Sequence, residues 1–257
     1  MKIEIKLDDL TTMVYTAHQE GSAIRGHHSI PCSLCRAILE QGGSRNDEIV
    51  LIRDHFHGGD FNVCARKLFR TMTEGKIDGG GVVGFNFLLD GHLHESSMLN
   101  NIEAGLPNGC KIVIYGNQSE TIKDVLGWKL VTHCDGAIVD KENNYIALLE
   151  CKAVKPKYFK EIKDNKEIRD EWYGQGQAYL FAEEEKVILF IIKNREDSKI
   201  MYPIRVDVDM GYIAKRLNVL NDIHHRIINK LGQPDREHTN PKDFECAFCQ
   251  YQKECWP

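Results

Sequence analysis

No stretch of this chain stays apolar over the roughly 18 residues that a membrane-crossing helix needs, so nothing in it reads as a helical membrane span. The opening residues Met1-Lys2-Ile3-Glu4-Ile5-Lys6 carry charge where a secretory signal would carry an apolar core. A soluble, cytoplasmic protein with no membrane partner is therefore expected. Net positive charge is missing too: 38 acidic against 33 basic residues leave a formal charge of -5. That excludes a globally basic coat, and any polyanion must be met by a local, salt-sensitive patch. Lys152, Lys155, Lys157, Lys160, Lys163 and Lys166 form one candidate, although a solvated face accounts for them equally well. Internal repeats, low-complexity tracts and a Gly-x4-Gly-Lys-Ser/Thr loop are all absent, so the chain carries no nucleotide-driven motor of that kind. At 257 residues and 42% hydrophobic, it can bury one substantial core with a small appendage.

Cysteine is what the chain has in abundance. In a reducing compartment its nine cysteines point to metal or cluster binding rather than disulfides. Three stand close together as Cys246-x2-Cys249-x5-Cys255, and a fourth, Cys64, lies in Asn62-Val63-Cys64-Ala65-Arg66-Lys67. Thiolates are soft ligands for zinc or for iron–sulfur clusters, and spacing alone leaves the metal open. Cys32 and Cys35, after Pro31 and two histidines, read as half a zinc site, a regulatory thiol pair or a helix start with two packed cysteines. Cys110, Cys134 and the thiol of Cys151 are most simply core.

The chemistry concentrates in Leu148-Leu149-Glu150-Cys151-Lys152. Side chains two apart on a strand share a face, so Glu150 and Lys152 project together and Cys151 faces away. An earlier strand-like run, Gly127 to Val139, carries Asp135, and the polar turn Asp140 to Asn144 reads as a hairpin loop between the two. Folding that hairpin brings Asp135 beside Glu150 and Lys152. Two carboxylates can hold a hard divalent cation, and a neighbouring ammonium can orient water or balance charge on a phosphate. This is equipment for metal-assisted phosphodiester hydrolysis. A half-exposed hairpin with a surface ion pair is the plainer account of the same residues.

Two helices add to the set. One continues to about Ala104, and His94, Met98 and Ile102 share its inward face. His92 lies about 200° around from that face. A second, Glu167 to Glu184, places Gln175 and Tyr179 one turn apart on one side. A buried strand over Lys186 to Ile192, a strand over Lys199 to Val208 and a helix over Asp209 to Leu231 follow. Helix, hairpin, helix and strand in that order predict an α/β sandwich around a mixed sheet. Gly232-Gln233-Pro234-Asp235 reads as a linker to the cysteine tail.

At Asp135 and Glu150-x-Lys152 the chain resembles the PD-(D/E)xK superfamily, and Gln175-x3-Tyr179 resembles the RecB-like nucleases within it. Cys64 with Cys246, Cys249 and Cys255 is similar to the iron–sulfur staple of the CRISPR-associated RecB-type exonucleases, phage-encoded members included. The resemblance runs from about Cys64 onward, roughly three-quarters of the chain. It implies a restriction-endonuclease-like core at residues 61–257, with residues 1–60 an N-terminal extension. It further implies Mg²⁺ or Mn²⁺ held by Asp135, Glu150, the Cys151 carbonyl and His94 or His92, with Lys152, Gln175 and Tyr179 completing the catalytic set. A [4Fe-4S] cluster on the four cysteines is implied, with Zn²⁺ as the alternative. The expected activity is exonuclease cleavage of single-stranded or end-exposed DNA, in the host cytoplasm if phage-encoded. A helicase, an annealing protein or an integration complex would be the protein partner. A catalytically silent DNA-binding subunit of such a complex, or a zinc-stabilised interaction module, remain the alternatives.

Overall fold

The computed structural model describes residues 49–51, 53–78, 94–113, 119–197 and 201–256. His92, Cys32, Cys35 and most of the expected 1–60 extension lie outside them. In chain order the elements begin with β1 (Ile49–Leu51), β2 (Phe56–His57), a 3-10 turn (Gly58–Asn62), α1 (Ala65–Glu74) and β3 (Lys76–Asp78). Helix α2 spans 94–105, and β4 (Lys111–Val113), β5 (Ser119–Val125), β6 (Trp128–Cys134), β7 (Gly136–Val139) and β8 (Tyr145–Val154) follow. Next come α3 (Pro156–Asn165), α4 (Asp170–Glu183), β9 (Val187–Asn194), β10 (Met201–Asp207), α5 (Met210–Ile228), α6 (Phe244–Ala247) and α7 (Gln252–Cys255).

The main sheet has the order β10-β9-β8-β7-β4. Only β8 and β9 run parallel in it, and the other neighbours are antiparallel. Parallel neighbours require a crossover, which α3 and α4 supply. A second sheet, β2-β6-β5, and the pair β1-β3 complete the strands. This is the mixed-sheet α/β core expected from the order of elements.

Both faces of the main sheet are covered. Leu148, Ile188, Phe190 and Ile192 pack against Phe159, Tyr179 and Leu180 of α3 and α4. On the other face Leu149, Ile138 and Ile191 meet Met98 and Leu99 of α2. A strand buried on both sides needs apolar residues at successive positions, hence the Ala147-Leu148-Leu149 run. Helix α4 is buried in turn, because Ala178 and Ala182 on its far side join Trp128, Leu130, Ile213 and Leu220 in a further core cluster. Its glycines permit the close approach: a Cβ on Gly176 would sit 2.8 Å from Phe190 Cε2, and one on Gly174 2.8 Å from Asn62 Cβ.

Two expectations need correction. The strand-like run Gly127 to Val139 is two strands in different sheets, divided at Asp135. The helix expected from Glu167 starts at Asp170, after a left-handed cap at Lys166 (φ 58°). Phe56 and Phe61 are fully buried in the core. The linker 232–235 is tied to α1, because Arg66 Nε donates to Pro234 O (2.8 Å) and Arg70 Nε to Gln233 Oε1 (3.0 Å).

Candidate active site

The division at Asp135 has a local cause. β7 begins at Gly136, paired with Leu149, so β8 beyond that point has lost its neighbour on this side. Asp135 Oδ2 takes the place of the missing strand by accepting the Cys151 N–H at 2.7 Å. Glu150 and Lys152 project together toward α4, where Lys152 Nζ lies 2.6 Å from Glu150 Oε1 and 3.1 Å from Gln175 Oε1. Gln175 Nε2 in turn donates to the Tyr179 hydroxyl oxygen at 2.5 Å. Tyr179 is buried and packs over Gly58. Strand β8, the sheet break and α4 thus bring Asp135, Glu150, Lys152, Gln175 and Tyr179 into one chain of contacts.

Helix α2 adds a residue that the sequence reading passed over. Glu95, buried at 7% exposure, places its charge close enough to push up the carboxyls of both Asp135 and Glu150. Its neighbour His94, the expected ligand, is half-buried. The signal for Glu95 was present: with Met98, Leu99 and Ile102 it completes an i, i+3, i+4, i+7 stripe, which makes it an acid on a buried helix face.

The electrostatics follow from three acids sharing one low-dielectric corner. Burial, then the Glu150 and Glu95 charges, raise Asp135 well above the usual aspartate range. Glu150 is also raised by burial, against the opposing pull of Lys152. Burial works against the charge on Lys152, but Glu150 and Asp135 outweigh it and hold the ammonium above its ordinary range. Burial and the same two acids push the Tyr179 hydroxyl well up, so it stays protonated. One ammonium does not balance three carboxylates. Glu150 Oε2, moreover, is buried and meets no geometrically sound hydrogen-bond partner among the described residues. A hard divalent cation bound by oxygen suits both the charge excess and the unsatisfied oxygen.

A second set of ligands converges elsewhere. Cys64, at the start of α1, and Cys246, Cys249 and Cys255 of the tail line one cavity of about 280 Å³, with Arg66 and Trp256. Arg66 Nη1 donates to Cys255 Sγ at 3.7 Å. Tyr251 anchors the tail by donating its hydroxyl to Gly75 O. Burial raises the Cys64 and Cys246 thiols above their usual range. Glu237 and His238 also approach, and one ligand atom from each lies within 4.8 Å of the Cys64 sulfur and of each other.

These features define a mixed-sheet α/β core whose fold is similar to that of an alkaline exonuclease. Two crystal structures share it. The alkaline exonuclease LHK-Exo of Laribacter hongkongensis is similar with a TM-score of 0.51 at 13% identity, over 69% of this chain and 89% of that protein. The protein SSO0001 is similar with a TM-score of 0.50 at 15% identity, over 86% and 93%. No protein-family model and no curated protein sequence matches the chain. Among the described residues no helix is long and apolar enough to cross a membrane.

Proposed function

We propose that this protein is a metal-dependent deoxyribonuclease, an exonuclease acting on single-stranded or end-exposed DNA. The observation that carries the reading is the Lys152 ammonium, held between Glu150 and Gln175 beside buried Asp135. The similarity in fold to an alkaline exonuclease supports it.

Asp135, Glu150 and Glu95 would hold Mg²⁺ or Mn²⁺, with His94 and the Cys151 carbonyl as further ligands. Such an ion supplies Lewis acidity and lowers the pKa of bound water. Lys152 would face the scissile phosphate. Its charge offsets the negative charge that develops on the phosphoryl oxygens during attack. Glu150 and Gln175 fix the ammonium in place, so no reorganisation is needed as that charge grows. Tyr179 holds Gln175, and through it the direction of the Lys152 donors. Because phosphate contacts carry little sequence information, cleavage should show weak sequence preference.

The four cysteines would carry a [4Fe-4S] cluster. Supporting this, all four line one cavity, and four cysteine thiolates are the usual ligand set of such a cluster. The close approach of Cys64, Glu237 and His238 favours the second reading, a single zinc ion. Iron, sulfide and zinc analysis of anaerobically purified protein decides between them: zinc without iron or sulfide would establish the second.

The activity is tested by digesting 5′- and 3′-labelled single- and double-stranded DNA with Mn²⁺, Mg²⁺ or chelator, beside Glu150→Ala. Metal-dependent cleavage lost in the variant is the expected result, and the label pattern then gives the polarity. Absence of cleavage on every substrate by protein of intact metal content would instead make the chain a silent DNA-binding subunit.

A further inference from the structure

Beside Lys152 the surface carries a run of alternating aromatic and cationic groups that the catalytic set does not use. Trp172 lies one helical turn before Gln175 on α4, and Lys152 Nζ stands 5.9 Å from the centre of its ring. Arg169 bridges outward, its guanidinium 5.3 Å from the Trp172 ring centre and 4.3 Å from that of Tyr158. Trp172 is half-buried, with its inner part packed on the core. Tyr158 is 41% exposed although it is a large aromatic.

The charge around this ladder is mixed but favours an anion. Residues 152–172 hold seven cations and five acids. Lys155, Lys157, Lys160, Lys163 and Lys166 are exposed, while Arg169 is partly engaged by Glu171 at 3.4 Å. An aromatic face backed by a guanidinium binds any base through stacking, while lysines nearby meet the phosphates. A duplex keeps its base faces covered by their neighbours. An unpaired strand does not.

We propose that Trp172, extended by Arg169 and Tyr158, is the platform on which bases of an unpaired DNA strand stack next to the scissile phosphate. The proposal rests on the nuclease reading for its substrate, and it makes the strand's bases, rather than only its backbone, a source of affinity at this site.

The test is binding of labelled oligonucleotides by full-length protein in chelator, so that nothing is cut. The probes are a single strand, an abasic strand of equal length and a blunt duplex, and the variants are Trp172→Leu and Trp172→Phe. Leucine keeps apolar packing without a π face, and a thermal melt establishes that each variant is folded. Trp172→Leu should weaken single-strand binding about tenfold, within the roughly 5- to 150-fold that stacking of one base is worth. Trp172→Phe should stay within a few-fold of wild type, and abasic-strand binding should be the same in all three proteins. Unchanged single-strand affinity in folded Trp172→Leu, an equal loss on the abasic strand, or no single-strand binding by wild type overturns the platform. Cleavage assays of the same strands with Mn²⁺ keep the two readings apart. Wild-type cleavage with unaltered binding in Trp172→Leu removes the platform and keeps the nuclease. Trp172-dependent binding without cleavage does the reverse.

Discussion

Lys152 and Glu95 make opposite demands on the same corner. The Lys152 ammonium offsets the charges of Asp135 and Glu150, and Glu95 adds a third negative charge. Lys152→Ala should therefore lower cleavage by at least about a hundredfold, the scale for losing a preorganised charge-stabilising donor. Metal binding measured by calorimetry should persist in that variant; retained cleavage would remove Lys152 from the mechanism. Glu95→Gln should weaken Mn²⁺ binding while leaving the protein folded, and an unchanged isotherm would show that Glu95 is no ligand.

The same acids set a pH dependence. Asp135 has a folded-state pKa raised above its ordinary 3.8, so folding favours its protonated form. Its contribution to stability is fully present below that ordinary value and is lost as pH rises through the raised one. Metal-free wild type should then melt below Asp135→Asn near neutral pH, with the gap closing as the buffer is made acidic. Added Mn²⁺ should raise the wild-type midpoint at neutral pH and do little for the variant. Melting curves across that range in chelator and in Mn²⁺ check both statements. A gap that widens toward acid would contradict the assignment.

At the scale of elements, α4 does the positioning. It is clamped between two core clusters, and Gly176 lets it lie directly on Phe190. Gly176→Ala would put a Cβ 2.8 Å from Phe190 Cε2 and 3.0 Å from Cζ. Overpacking of this kind costs about 1–3 kcal/mol, and each kcal/mol lowers the midpoint by about 2–4 °C in a domain of 150–250 residues. Because Gln175 adjoins the displaced turn, cleavage should fall along with the melting midpoint. A variant that melts as wild type does would show that Phe190 yields without cost.

Much of this element scale could be read from residue order. The β7–β8 hairpin was visible because Asp140 to Asn144 is turn chemistry: Asp140 Oδ1 accepts the Glu142 and Asn144 N–H groups at 2.9 and 2.8 Å. The Gln175–Tyr179 contact follows from helical spacing. The break at Asp135 was marked locally only by the Asp135-Gly136 dipeptide, a turn signal, and that signal does not say that the strands on either side belong to different sheets.

Across the whole molecule, the tail closes onto α1. Arg66, Arg70 and Gly75 hold residues 233, 234 and 251, which sets three tail cysteines around the cavity that Cys64 lines. If a cluster or ion joins them, its binding free energy is part of folding. Cys64→Ser and Cys255→Ser should each lose bound metal and lower the unfolding midpoint together, as measured by metal analysis and thermal denaturation on the same samples. Loss of metal at an unchanged midpoint would separate the site from stability.

Residue order alone determined the mixed α/β core, the pairing of Glu150 with Lys152 and the grouping of the tail cysteines, because each depends on a short period or on a turn. Only the tertiary structure decided that Asp135 stands at a junction between two sheets. It also decided that Glu95 enters the acid cluster from a helix on the opposite face, and that Phe56 and Phe61 belong to the core. Those features depend on how one element is rotated and seated against another, and that is settled by packing over long sequence separations, where no local pattern reaches.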